Sequence, residues 1–236
     1  MTPSDRRTAR LAGALYLLTH VTSIGAVALY GGSAFDPTAP LNSRGSVLLG
    51  GVLEVVLACA VVGTSVALYP LVRRHGRGLA AAYVALRTLE ASVILVGVVA
   101  LLPVVAGPGT AAAPGLEPAV ATGLRLVHDW IFLVGPGLIC PVNTVVLAWL
   151  LWRERLVPRA IPALGLVGGP LIGLVNLLVL AGLTRTQPLA ALPIFAWEVS
   201  LAVFLIARGL RPSPRPAAAP TPAPAAASRN DAMASI

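Results

Sequence analysis

The sequence predicts an all-α integral membrane protein: a polytopic six-helix bundle with both termini in the cytoplasm. Three observations predict it. Hydrophobic residues make up 57% of the 236 residues and charged residues only 11%, against the roughly 25% charge of an ordinary soluble domain. The apolar residues gather into six runs, each close to or above the about 20 residues that cross a bilayer core. The basic residues alternate between the intervening loops in step with those runs. The mean hydropathy of +0.85 agrees.

The runs are Leu11 to Tyr30, about Val47 to Val72, Leu79 to Val105, Val127 to Trp152, Ala160 to Leu183 and Leu189 to Arg208. The second, third and fourth are long enough to tilt. Residues 1–10 form a short polar lead. Arg6-Arg7 ahead of the first run resembles a secretory or twin-Arg signal, with small residues near Ala26 and Ala28 for cleavage. The run exceeds the 7–15 residues usual for a signal, so it is read as a first span. From Arg211 to Ile236 the chain turns Pro/Ala-rich and loses all apolar period, which predicts a disordered, extended cytoplasmic tail.

All 17 basic residues are Arg. Arg6, Arg7, Arg10, Arg73, Arg74, Arg77, Arg153, Arg155, Arg159, Arg208, Arg211, Arg215 and Arg229 fall on one side, thirteen in all. Arg44, Arg125 and Arg185 fall on the other, and Arg87 lies inside a span. The positive-inside rule then places both termini in the cytoplasm of a cell membrane. The net charge of +8 is explained by these topology signals, so nothing points to nucleic acid. Cys59 and Cys140 both lie in apolar runs, without disulfide or metal-ligand spacing.

Ionisable groups at membrane depth are expensive, about 2.5–3.5 kcal/mol each on insertion scales, and so mark candidate sites. At about 1.5 Å per residue, His20, Glu54, Arg87, Glu90 and Glu198 all fall near the middle of their spans and are expected to meet there. Arg87 and Glu90, three apart, share a helix face. The bland role for this cluster is a structural clamp. The sharper role follows from its charge: three carboxylates face one guanidinium, and like charges in a low dielectric do not all stay ionised. One carboxylate then holds a proton or meets a cation, with His20 as relay partner. His128 and Asp129 are placed at the outer mouth of the fourth span, pointing about 100° apart. Trp197, beside Glu198, is expected to line a pocket.

Gly135-Pro136-Gly137 and Gly168-Gly169-Pro170 interrupt the fourth and fifth runs. They predict kinks and close packing, with a broken-helix binding site as the alternative. Glu90-Ala91-Ser92 and Glu198-Val199-Ser200 echo one another weakly, as inverted repeats do. The chain contains no nucleophile elbow, metalloprotease helix, P-loop or dinucleotide fingerprint, and no cofactor is predicted. The best reading is a small-molecule or proton-linked carrier or ligand-binding membrane protein. The alternatives are a non-catalytic module (a partner subunit, sensor or scaffold) and, third, an intramembrane enzyme. Its partners are the lipid bilayer and a small ligand or proton.

Three segments carry a family resemblance. They are RLAGALYLLTHVTSIG (Arg10 to Gly25), LVPRAIPALGLVGGPLIG (Leu156 to Gly173) with its R-x-x-L-V-P-R approach, and FAWEVSLAVFLIARGLRPS (Phe195 to Ser213) with its P-x-x-x-W-E-x-S-L-x-x-x-L pattern. Over about residues 6–213 the chain resembles the bacterial membrane family called domain of unknown function 4386. The resemblance implies six spans and draws attention to Trp197 and Glu198. It implies no activity and no catalytic residue.

Overall fold

The computed structural model describes residues 2–31, 35–36, 41–105 and 116–211; the tail from 212 onward lies outside the described residues. The helices are α1 (Pro3–Tyr30), α2 (Arg44–Val72), α3 (Arg77–Val105), α4 (Pro118–Val134), α5 (Cys140–Arg153), α6 (Ala160–Leu180) and α7 (Leu192–Ala207). A π-helical turn, Gly135–Ile139, joins α4 to α5, so that 118–153 forms one span. A 3₁₀ turn, Pro188–Ala191, leads into α7. Among the described residues there is no strand, and six helices are long and apolar enough to cross a membrane.

Local chemistry sets the ends. Thr2 and Asp5 form a capping box at 3.1 and 3.2 Å, with Pro3 in the first turn, which satisfies two donors that a helix start leaves bare. Ser43 caps α2 by accepting the Ser46 N–H. Pro118 opens α4, nine residues before Val127; proline lacks only a donor that a first turn does not use.

The spans close into a ring. α1 packs on α2, α2 on α3, α3 on the fourth span, the fourth span on α6, α6 on α7, and α7 back on α1. Arg10 Nε donates to the Ile206 carbonyl at 3.3 Å, so the start of α1 and the end of α7 share one end of the ring, here the base. Arg211 N–H donates to Leu156 O at 2.7 Å, and Arg153 to His75 O at 3.0 Å, tying the other base segments together. Above the base a continuous core fills the ring, built on Leu68, Leu71, Leu147, Leu151, Trp197 and Leu205. The outward faces carry large exposed aliphatics such as Val21, Ile24, Val66, Val99, Val167 and Leu174. An apolar exterior around buried charges is the pattern of a chain solvated by lipid. The protein is a multi-pass membrane protein.

The two proline-glycine interruptions take different forms. Gly168 is a close approach: a Cβ there would lie 2.6 Å from Ile194 N and 2.9 Å from the Pro193 carbonyl carbon. The obstacle is backbone, which yields less readily than a side chain. Gly168→Ala is therefore expected to cost about 1–3 kcal/mol through overpacking, read as a lower Tm of the solubilised protein. An unchanged Tm would mean that α6 and α7 slide apart freely.

The other interruption is the π turn, in which Cys140 N–H donates five residues back to Gly135 O. Two prolines explain it. In regular α register, Phe132 O would accept from residue 136 and Gly137 O from residue 141; both are proline and have no N–H. Asn176 Nδ2 on α6 donates to the Gly137 carbonyl at 2.7 Å, so a side chain replaces the missing backbone partner.

Candidate functional site

The buried charges divide into two arrangements. The first is dry. Arg87, Glu90 and Asn143 are each 3% exposed or less. Arg87 Nη1 lies 3.2 Å from Glu90 Oε2, and Asn143 Nδ2 donates to the same oxygen at 2.7 Å. The guanidinium sits against the rings of Tyr16 and Tyr83, 5.4 and 6.0 Å from their centroids, a cation–π arrangement. The two phenols share a hydrogen bond at 2.6 Å. Together these groups join α1, α3 and α5 across the ring.

The second arrangement lines a cavity of about 470 Å³. One face of each surrounding helix builds it. On α1 the stripe is His20, Ser23, Val27 and Tyr30; on the last span it is Ala191, at the end of the 3₁₀ turn, then Ile194, Phe195 and Glu198 of α7. Both follow the three- and four-residue steps of a single helix face. The fourth span contributes His128, Asp129, Phe132 and then the π turn, where Pro136 and Gly137 come to the wall. Cys140, the first residue after the turn, lines the space as well. Lining residues Gly31, Leu41, Arg125 and Thr186 carry the cavity to the end of the bundle opposite the base. From Tyr30 down to His20 the depth is about 15 Å.

Two carboxylate–imidazole pairs stand in this wall. His20 Nε2 lies 3.4 Å from Glu198 Oε2; its Nδ1 lies 2.8 Å from Tyr16 O, and its ring meets Phe195 edge-on at 4.9 Å. His128 Nε2 bridges both oxygens of Glu54 at 3.1 and 3.2 Å. Asp129 approaches the other imidazole nitrogen at 3.7 Å and accepts the Phe35 N–H at 2.9 Å. Glu198 also faces Arg87 Nη1 at 3.9 Å, so it stands on the boundary between cavity and dry cluster.

Sequence depth therefore brings Arg87, Glu90, Glu198 and His20 together, but not Glu54. Glu54 pairs with His128 instead. With α4 starting at Pro118, His128 lies about 15 Å into its span, level with Glu54; it is buried, and its ring meets Tyr30, at the outer end of α1, edge-on at 5.2 Å. It also reaches Asp129, although successive helical residues diverge. Trp197 does not line the cavity. It is fully buried beneath it in the base core, against Gly165, because it points about 100° away from Glu198 around α7.

Tyr83 and Asn143 are central in the structure. In the sequence Asn143 is a lone amide low in the fourth run, and Tyr83 carries no signal beyond being an aromatic in an apolar run. The paired serines do ordinary work: Ser92 and Ser200 donate to Thr88 O and Trp197 O of their own helices. The Glu90 and Glu198 that precede them have different surroundings, one dry and one facing the cavity.

No curated protein and no solved structure matches the chain. Residues 11–209, which take in all six spans apart from the first turns of α1, match the family described as domain of unknown function DUF4386, and the chain belongs to that family.

Proposed function

We propose that this protein is a carrier for a small molecule, which docks in the cavity between α1, the fourth span and α7. The observation that supports it is the cavity itself. A space of about 470 Å³ has the volume of a small-ligand site. Its wall is mostly apolar, with two carboxylate–imidazole pairs facing inward. Such pairs accept and release protons and so can couple a ligand to a proton. Six crossings return the chain to the side where it began. With the Arg bias, the base and both termini face the cytoplasm of the cell membrane and the cavity faces outward. Arg87, Glu90 and Asn143 act as the clamp beneath it, which is the structural half of the alternative reading.

The test is a thermal-stability screen of the full-length protein against small amphiphiles that are neutral, anionic or cationic. A compound at 100 times its Kd stabilises by about 2.7 kcal/mol, a Tm rise of about 5–10 °C for a chain of this size. Ser23→Trp, which fills the cavity one turn above His20, is expected to abolish that rise. A compound that binds and also exchanges across proteoliposomes makes the protein a carrier. One that binds but never crosses makes it a sensor or binding module. If no compound of any charge shifts Tm, the cavity is not a ligand site.

A further inference from the structure

We infer that the ligand of this cavity is a lipophilic cation, such as a quaternary or protonated amine, whose charged head docks on Glu198 in exchange for a proton. The inference rests on the ligand-cavity reading above and gives that ligand its charge. Among the described residues the cavity wall holds three carboxylates, Glu54, Asp129 and Glu198, and one guanidinium, Arg125. Below the floor Arg87 and Glu90 cancel each other at 3.2 Å. With both imidazoles neutral, the wall is therefore two negative charges in excess. In a low dielectric that excess is met by bound protons or by a cation. An anionic ligand would enlarge it.

Among the three carboxylates, Glu198 is the one open to a ligand at the floor of the cavity. Glu54 is held by both oxygens on His128, and its side chain is only 2% exposed. Asp129 is the more exposed, at 27%, but it stands toward the mouth, where one oxygen accepts the Phe35 N–H at 2.9 Å and the other lies 3.7 Å from His128 Nδ1. Glu198 has the longest contacts, 3.4 Å to His20 and 3.9 Å to Arg87, and is 14% exposed. The groups around it are Tyr16 and His20 from α1, Arg87, Tyr83 and Glu90 from α3, and Cys140 from α5. Arg87 stays charged throughout and is committed to Glu90. The His20 imidazole, 3.4 Å from Glu198, is the neighbour whose charge depends on a bound proton. When an ammonium head arrives, the His20 proton leaves for the water at the mouth. One positive charge replaces another, so the site gains no net charge at membrane depth.

The wall suits the rest of such a molecule. Phe195 lies one turn before Glu198 on the same face of α7, Phe132 lines the fourth span, and Tyr30 and Phe35 stand toward the mouth. Aromatic faces attract quaternary ammonium groups. The depth of about 15 Å accepts an extended apolar body behind the head.

Three probes of matched shape test this on the full-length protein in nanodiscs, with binding read calorimetrically. They are benzyltrimethylammonium, its neutral carbon isostere neopentylbenzene, and the anion 4-tert-butylbenzoate. The ammonium cannot itself gain or lose a proton, so any pH dependence belongs to the protein. It is expected to bind at least tenfold more tightly than the anion. Its affinity is expected to rise with pH, approaching tenfold per unit where one proton is displaced, while the neutral isostere binds independently of pH. Glu198→Gln is expected to weaken the ammonium at least tenfold, flatten its pH dependence and leave the isostere unchanged. The wild-type comparison stands even if that variant fails to fold. If the anion or the isostere binds more tightly than the ammonium and Ser23→Trp blocks it, the cavity is a ligand site and the cation assignment is wrong. If none of the three binds and the wider screen is also blank, the ligand-cavity reading has failed and this inference with it.

Discussion

Replacing Arg87 with Ala is expected to cost about 3–5 kcal/mol, the loss associated with stripping one partner from a buried ion pair. Glu90 would keep only the Asn143 amide, at 2.7 Å, in a position 3% exposed. The damage spreads because the guanidinium is shared. Its Nη1 faces both Glu90 and Glu198, and its plane rests on Tyr16 and Tyr83. Its Nε and Nη2 have no hydrogen-bond partner among the described residues, which leaves those ring faces as their surroundings. Arg87→Lys is expected to rescue poorly, since an ammonium has neither the flat face nor the fork of the guanidinium. The double change Arg87→Met with Glu90→Gln is expected to recover a substantial part of the loss, because removing both charges removes the uncompensated one. Melting curves of the solubilised variants decide it. A wild-type Tm for Arg87→Ala would show that the clamp contributes nothing.

Trp197→Ala is expected to cost about 3 kcal/mol, the lower end for a buried tryptophan. The lower end applies because the unfolded reference keeps its spans in lipid, which is as apolar as the core. What is lost is packing. The indole is fully buried and fills the space that Gly165 leaves: a Cβ on Gly165 would lie 2.8 Å from the ring. Since Trp197 belongs to the base core, the variant should melt earlier yet keep the same ligand-induced rise in Tm as the wild type. A variant that melts normally but loses the ligand response would return Trp197 to the cavity wall.

The two substitutions separate what composition reveals from what packing decides. All six spans were legible because the bilayer requirement is local. About 20 apolar residues and an internally satisfied backbone are properties of one stretch of chain. The fourth span was read short because Pro118 to Leu126 is only mildly apolar; its proline start supports a helix without announcing a membrane one. The glycine-proline positions were legible as interruptions. Which became a π turn and which a close contact depended on neighbours, Asn176 for Gly137 and Pro193-Ile194 for Gly168.

The charged residues show the same division. Sequence position along a span determines depth, since each residue rises about 1.5 Å. It placed His20, Glu54, Arg87, Glu90 and Glu198 at comparable levels. Depth does not determine azimuth around the ring. Glu54 and Glu198 each found a histidine partner, on different helices. Glu90 turned into the dry clamp while Glu198 turned to the cavity. The sequence by itself determined a six-span apolar bundle with costly charges at its middle. Only the tertiary structure decided which charges neutralise one another and which face open space, because each helix's rotation is set by packing against its neighbours, and that information lies in no single helix.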